Sequence, residues 1–162
     1  MDINSPRGRQ TLHDERQAVD IWHSRYPAVR YCETPKHLPA RLDAVLIHRS
    51  EVYAVVETKC RYDMTFVQLI TTREARWMIS FDKVLRGQSV SQSLGVPFLG
   101  FLYLPAQEIL IVTRITDENG DIVCNMTVSD RLTQRTVNGG TNYKTVALID
   151  LENAKVLRRT KT

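Results

Sequence analysis

The chain has 162 residues, enough for a single domain with a sizeable core, and its 43% hydrophobic and 25% charged content is that of a soluble globular protein rather than a disordered one. A net charge of +4 and a pI near 9.1 are compatible with a nucleic-acid partner without specifying one. The N-terminus lacks an apolar signal core and no run reaches membrane-spanning length, so no membrane partner is expected. The three cysteines, Cys32, Cys60 and Cys124, are an odd number without metal-ligand spacing, which points to a reducing, cytoplasmic setting.

In chain order, Met1 to Arg9 read as a loose end, and Thr11 is a plausible N-cap for a helix running to about Arg25 and stopping before Pro27. Its apolar residues are Leu12, Ala18, Val19, Ile21, Trp22 and Tyr26. At roughly 100° per residue their mean direction lies close to Glu15, so Glu15 falls within the buried stripe and Asp14 to one side. An acid on an apolar face needs a partner. Glu15 is either a first-turn acid that caps the helix or a residue facing a site. Ala28 to Glu33 reads as a strand, and Thr34 to Ala40, with two prolines, as a loop.

Leu42 to Lys59 (LDAVLIHRSEVYAVVETK) reads as two strands, Leu42 to Ile47 and Val52 to Val56, joined by a turn at His48-Arg49-Ser50-Glu51. Antiparallel pairing around Arg49-Ser50 brings Asp43 within about one residue of facing Glu57. Alternation puts Glu57 and Lys59 on one face and Thr58 on the other. Two carboxylates and an ammonium thus meet at one end of an otherwise apolar hairpin, either as a site or as a solvated strand end with a cross-strand ion pair. Cys60, beside Lys59, is either a reactive thiol or a buried neutral one.

Cys60 to Thr71 is a connection, with Arg61 among the residues that would contact a substrate or simply lead into a helix. A helical pattern then runs from about Thr72 to Leu94, with Trp77, Phe81 and Val84 on one face, Gln88 continuing it and Arg73 and Gln92 flanking it. Gly87 weakens this helix, and Gly95 is a plausible C-terminal glycine. Val96 to Leu104 (VPFLGFLYL) is a nearly continuous apolar run, as in a strand buried on both faces, with Pro97 tolerated only at its start. Beyond it, Ile109 to Ile115, Asp121 to Val128 after an Asn119-Gly120 turn, and Lys144 to Leu151 as a last strand suggest a β-rich extension over about 105–157, followed by a loose end from Arg158. Arg131, Arg135 and Lys144 flank an Asn138-Gly139-Gly140 tip and either meet a phosphate backbone or remain a solvated loop.

The pattern of Asp43, thirteen intervening residues and Glu57-Thr58-Lys59 resembles the PD-(D/E)XK, restriction-endonuclease-like, nuclease superfamily. The order helix, strand, strand, strand, helix, strand over about 11–104 is similar to the αβββαβ core of that family, with the Asp in the second strand and the Glu-X-Lys in the third. The segment RWMISFDKVLRGQSVSQSLGVPFLGFLYL resembles small phage-encoded members, which implies the host cytoplasm. The resemblance implies an α/β domain over 1–162 whose mixed central sheet is flanked by helices. It also implies a Mg²⁺- or Mn²⁺-dependent nuclease acting on DNA, often as a homodimer. Asp43, Glu57 and the backbone carbonyl of Thr58 would be metal ligands. Lys59 would orient or help deprotonate the attacking water, and Glu15 would hold a second metal directly or through water. Gln88 would assist from the second helix, and Arg61, Arg73, Lys83 and Gln92 would contact nucleic acid.

Other chemistries lack support. His13, His23, His37 and His48 have neither metalloprotease nor zinc-finger spacing. Neither a P-loop nor a Gly-X-Gly-X-X-Gly motif is present, and no Gly-X-Ser-X-Gly elbow occurs. The competing reading is a non-catalytic nucleic-acid-binding or structural module that kept the fold, in which the hairpin acids merely pair with Lys59.

Overall fold

The computed structural model describes residues 5–35, 40, 42–132 and 142–159. The fold is α/β. Helix α1 (Pro6–Arg25) is followed by strands β1 (Val29–Glu33), β2 (Ala44–His48) and β3 (Glu51–Cys60), then α2 (Phe66–Thr71), β4 (Arg76–Ser80), α3 (Phe81–Leu94), β5 (Phe98–Leu104), β6 (Ile109–Arg114), β7 (Met126–Leu132), β8 (Tyr143–Asp150) and β9 (Lys155–Arg158). Six strands form a mixed sheet in the order β1-β2-β3-β5-β6-β9, in which β3 and β5 run parallel and the other neighbours antiparallel. A second sheet has the order β4-β8-β7, all antiparallel.

The central strands β3, β5 and β6 are covered on both faces, which is why they read as continuous apolar runs. All seven residues of β5 are buried. On one face Ala18, Ile21 and Trp22 of α1 pack on Ala44, Leu46, Val56 and Phe101. On the other, Val84 of α3 and Trp77, Ile79, Ala147 and Ile149 of the second sheet pack with Val55, Phe98 and Leu102. Pro97 precedes β5, and its carbonyl accepts from Val55 N at 3.0 Å.

Helix α1 begins earlier than Thr11. Ser5 is the N-cap, its hydroxyl accepting from Gly8 N at 3.0 Å, and Pro6 takes the first helical position, where its missing N–H costs nothing. Asp14 and Glu15 therefore stand in the third turn, and no acid occupies the first. Asp14 is not off to the side: at 5% exposure it is as buried as Glu15 at 7%.

The single helix expected from Thr72 to Leu94 is instead a turn, a strand and a shorter helix. Helix α2 ends at Thr71, Glu74 and Ala75 take positive φ values of 51° and 54°, and Arg76–Ser80 is a strand before α3 starts at Phe81. Trp77 and Ile79 are buried while Met78 between them is exposed, the period of a strand. Trp77 and Val84 do share one core, but they reach it from different elements. Gly95 closes α3 in the left-handed conformation, φ 65°.

The C-terminal strands do not form a layer of their own. Strands β6 and β9 extend the six-stranded sheet, while β7 and β8 build the second sheet onto β4. Asn119-Gly120 does turn the chain, with Gly120 at φ 84°, but only an isolated Thr116–Ile122 bridge follows, and β7 starts at Met126 rather than Asp121. Strand β8 is not the last, because the turn at Leu151–Ala154 leads into β9. Arg135 and Asn138-Gly139-Gly140 lie outside the described residues.

Gly87 in α3 is a packing requirement. A Cβ built there would stand 2.5 Å from Cζ and 2.6 Å from Cδ1 of Phe98, whose ring is fully buried. Gly→Ala inside a helix ordinarily stabilises by about 1 kcal/mol. Here Gly87→Ala is expected to destabilise by about 1–3 kcal/mol through overpacking, measured as a lower urea midpoint with an unchanged slope. A gain in stability would show that the ring yields.

Candidate functional site

The hairpin turn places Arg49 and Ser50 at φ 49° and 69°, the two left-handed residues of a tight hairpin loop. Next to the turn the register is His48↔Glu51 and Ile47↔Val52; beyond a bulge at Leu46/Ile47 it is Leu46↔Ala54 and Ala44↔Val56. Without the bulge, Asp43 would continue the ladder opposite Val56. With Tyr53 as the extra residue the register moves by one, and Asp43 comes opposite Glu57. The ladder reaches that point: Asp43 N donates to the Val56 carbonyl at 3.1 Å. Thr34 anchors the Asp43 backbone from the other side, its N–H at 2.9 Å and its hydroxyl at 3.0 Å from the Asp43 carbonyl.

The Asp43 carboxylate accepts from Thr58 N at 2.8 Å. Glu57, only 6% exposed, faces α3, where Lys83 Nζ stands 3.0 Å from Oε1 and 3.2 Å from Oε2. Burial, and then the charge of Asp43, push the Glu57 carboxyl up to about 7, against the opposing pull of Lys83 and Lys59. Lys59 is an exposed residue overall, yet partial burial of its ammonium and the neighbouring Arg61 hold that ammonium below its ordinary range.

Thr58 points to the opposite face, its hydroxyl 3.2 Å from that of Tyr31. Burial, with added repulsion from Asp43, Glu15 and Glu33, keeps the Tyr31 phenol protonated. The same surroundings decide the state of Cys60: burial, then Glu15 and Asp14, push its thiol up to about 12, so it is neutral and not a reactive thiolate. Glu15 belongs to this α1 face, on the other side of the sheet from Glu57. Among the described residues no group of three or more His, Cys, Asp or Glu side chains could hold a metal ion. Asp43 and Glu57 come together, and Glu15 does not complete a trio with them.

The remaining candidates separate along α3. Lys83, in its first turn, is at the acids. Gln88 donates through Nε2 to the Gly120 carbonyl at 2.8 Å, and Gly120 also packs on Gln92, so both glutamines serve the Asp117–Asp121 turn in the distal half of the helix. Arg61 donates to the Met78 carbonyl at 2.9 Å and has Arg73, exposed in the α2–β4 turn, as a charged neighbour. The sequence offers Lys83 as a second-helix residue that assists at the site or holds a phosphate, or as part of a solvated helix face, and does not show its pairing with Glu57. The usable signal was a helix start at Phe81, with Asp82 in its first turn.

The donor set suits a hard cation. Two carboxylates on adjacent strands with oxygen donors only are what Mg²⁺ or Mn²⁺ accepts while keeping several waters. The raised Glu57 carboxyl marks a place where an added positive charge would be favourable. No family model matches the chain, and neither a curated protein nor a solved structure matches it.

A carboxyl raised by folding makes stability depend on pH. Between its ordinary 4.5 and about 7 the folded state binds the proton more tightly than the unfolded chain does, so stability falls as pH rises through that window and levels off above it. Without divalent metal, the loss from pH 4.5 to 7 is expected to approach about 3 kcal/mol. Glu57→Gln should flatten this part of the profile, and Lys83→Met should move its upper end to higher pH. Urea denaturation across the range measures both; a flat wild-type profile would remove the argument for a strained Glu57.

Proposed function

We propose that this chain is a divalent-metal-dependent nuclease that hydrolyses phosphodiester bonds in DNA, with a PD-(D/E)XK core made of α1, β1, β2, β3, α3 and β5 and with α2 and β4 inserted between β3 and α3. The observation that carries the reading is Asp43 opposite a buried Glu57 at the end of the β2–β3 hairpin, with Lys59 two residues on. Bound there, Mg²⁺ or Mn²⁺ would neutralise charge on the transferring phosphoryl group and lower the pKa of an attacking water. Asp43 and Glu57 would hold the ion, and the Thr58 carbonyl would be a further ligand by resemblance. Lys59, exposed on the Glu57 face, is free to turn toward the scissile phosphate and orient the water. Lys83 would have to release Glu57 for this carboxylate to hold a divalent ion. Glu15, on the α1 face, would influence the site only indirectly, through water.

The Lys83–Glu57 ion pair favours a second reading, in which the pair is structural and the chain binds nucleic acid without cutting it. Calorimetric titration with Mg²⁺ and Mn²⁺, together with incubation with plasmid, short duplexes and single strands, separates the two. Saturable metal binding with cleavage supports the nuclease; DNA binding without either supports the module.

Asp43→Asn and Glu57→Gln are each expected to abolish cleavage and leave the fold intact, and wild-type turnover by either would sink the site assignment. Lys59→Ala should lower turnover by about 10²-fold or more with divalent-metal affinity near wild type. Lys83→Ala should tighten metal binding, because it removes the ammonium that competes for Glu57. Glu15→Gln should weaken turnover without unfolding the chain; unchanged turnover would limit Glu15 to the α1 face.

A further inference from the structure

Strand β8 is longer than its partner β4. Strand β4 pairs only with Val146–Asp150, from Ser80↔Val146 to Arg76↔Asp150, whereas β7 follows β8 outward to Leu132↔Tyr143. The rungs Asp130↔Thr145, Arg131↔Lys144 and Leu132↔Tyr143 therefore project beyond the end of β4 as a two-stranded ribbon. They do so where Ser80 passes into α3, whose first turn holds Lys83 on Glu57. The projecting end thus lies beside the Asp43–Glu57 pair.

All six residues of these rungs are exposed. Arg131 and Lys144 are direct cross-strand neighbours, and like charges so placed destabilise a sheet. The ribbon's own carboxylate offers little relief: Asp130 accepts from the Thr145 hydroxyl at 2.7 Å, one rung away and on the other face. Among the described residues Arg131 reaches Ser129, its Nε donating to Oγ at 3.3 Å. Arg131 and Lys144 thus stand side by side as two exposed cations on the projecting end. Folding alone gains nothing from such a pair. A polyanion with regularly spaced charges, about one per 1.7 Å of duplex axis, would stabilise it.

We propose that the projecting end of the β7–β8 ribbon is a phosphate-binding arm, with Arg131 and Lys144 holding the sugar-phosphate backbone of the nucleic acid that reaches the Asp43–Glu57 pair. The identity of the polyanion rests on the nuclease reading. The arm positions substrate and takes no part in the chemistry. It contacts phosphates and not base edges, so its contribution is independent of sequence and sensitive to salt.

The test reads binding and cleavage separately. Binding of a short fluorescein-labelled DNA duplex and of its single strand is followed by anisotropy in EDTA over a range of salt; cleavage is assayed in Mg²⁺. Relative to wild type, R131A/K144A is expected to bind about tenfold more weakly at low salt, with a log–log salt slope reduced by about 2. Lys144→Ala alone should lose about one unit of slope, and Lys155→Ala, on the far edge strand β9, almost none. Unchanged slopes in R131A/K144A would overturn the arm even if the protein cuts DNA. An equal loss from Lys155→Ala would also overturn it, by tracing the effect to overall charge, as would wild-type protein that binds neither probe. Arm-dependent binding without cleavage would keep the arm and overturn the nuclease reading alone.

Discussion

One residue of surplus in the β2–β3 hairpin decides where the charges of this chain go. In an antiparallel pair a shift of one moves every later residue to a new partner and a new face. The bulge at Leu46/Ile47 makes that shift once, with Tyr53 as the unmatched residue. Below it, Ala44, Leu46, Ala54 and Val56 all face α1 and form its bed, while Val55 faces α3. The same shift brings Asp43 and Glu57 opposite each other on the α3 side. Packing and electrostatics are thereby tied together, because a hairpin without the bulge could not satisfy the α1 core and also pair the two acids.

Two charge environments follow from this division. The α1 face carries Asp14 and Glu15, both buried, with Tyr31 and Cys60 kept protonated by burial and by those acids. The α3 face carries Glu57 among Lys83, Lys59 and Arg61. Asp43 is the link, repelling ionised Glu57 on one side and ionised Tyr31 on the other. Such an arrangement separates the acids that a sequence motif lists together, and it explains why Glu15, though buried as its helical phase requires, does not join the hairpin pair.

Local features were legible in the sequence and non-local ones were not. The hairpin strands, its turn, the buried apolar run of β5 and the glycine stop of α3 all rest on residues close in the chain. So does the Asp43–Glu57 pairing, which was placed to within one residue; the bulge that fixes it leaves no mark in the apolar pattern. Strand β4 was misread because its stability comes from β8, about seventy residues later, and because Trp77 and Val84 share a core that mimics one helical face. Strand β9 was missed for the same reason: its partner is β6. The early start of α1 was available in Ser5-Pro6, a capping residue followed by a proline, and the acids at 14 and 15 drew the boundary too late.

The Lys83–Glu57 pair shows what the chain tolerates for the sake of this arrangement. A buried ion pair is weak support for a fold, since an apolar pair of similar volume would serve about as well or better. Glu57 faces the α3-side core, between strands already buried on both faces, where an aliphatic residue would continue the pattern of Val55. Its carboxyl is instead retained, its titration displaced upward, and it is neutralised by a lysine on the first turn of the neighbouring helix. That turn also lies next to the projecting ribbon with Arg131 and Lys144. The Lys83 side chain is 32% exposed and is a long, flexible stem, so its ammonium is a cation that can be exchanged, unlike a fixed guanidinium fork. An exchangeable cation on a buried carboxylate is weak support for holding two elements of a fold together, and under the proposed nuclease reading it is the cation that a metal ion would replace.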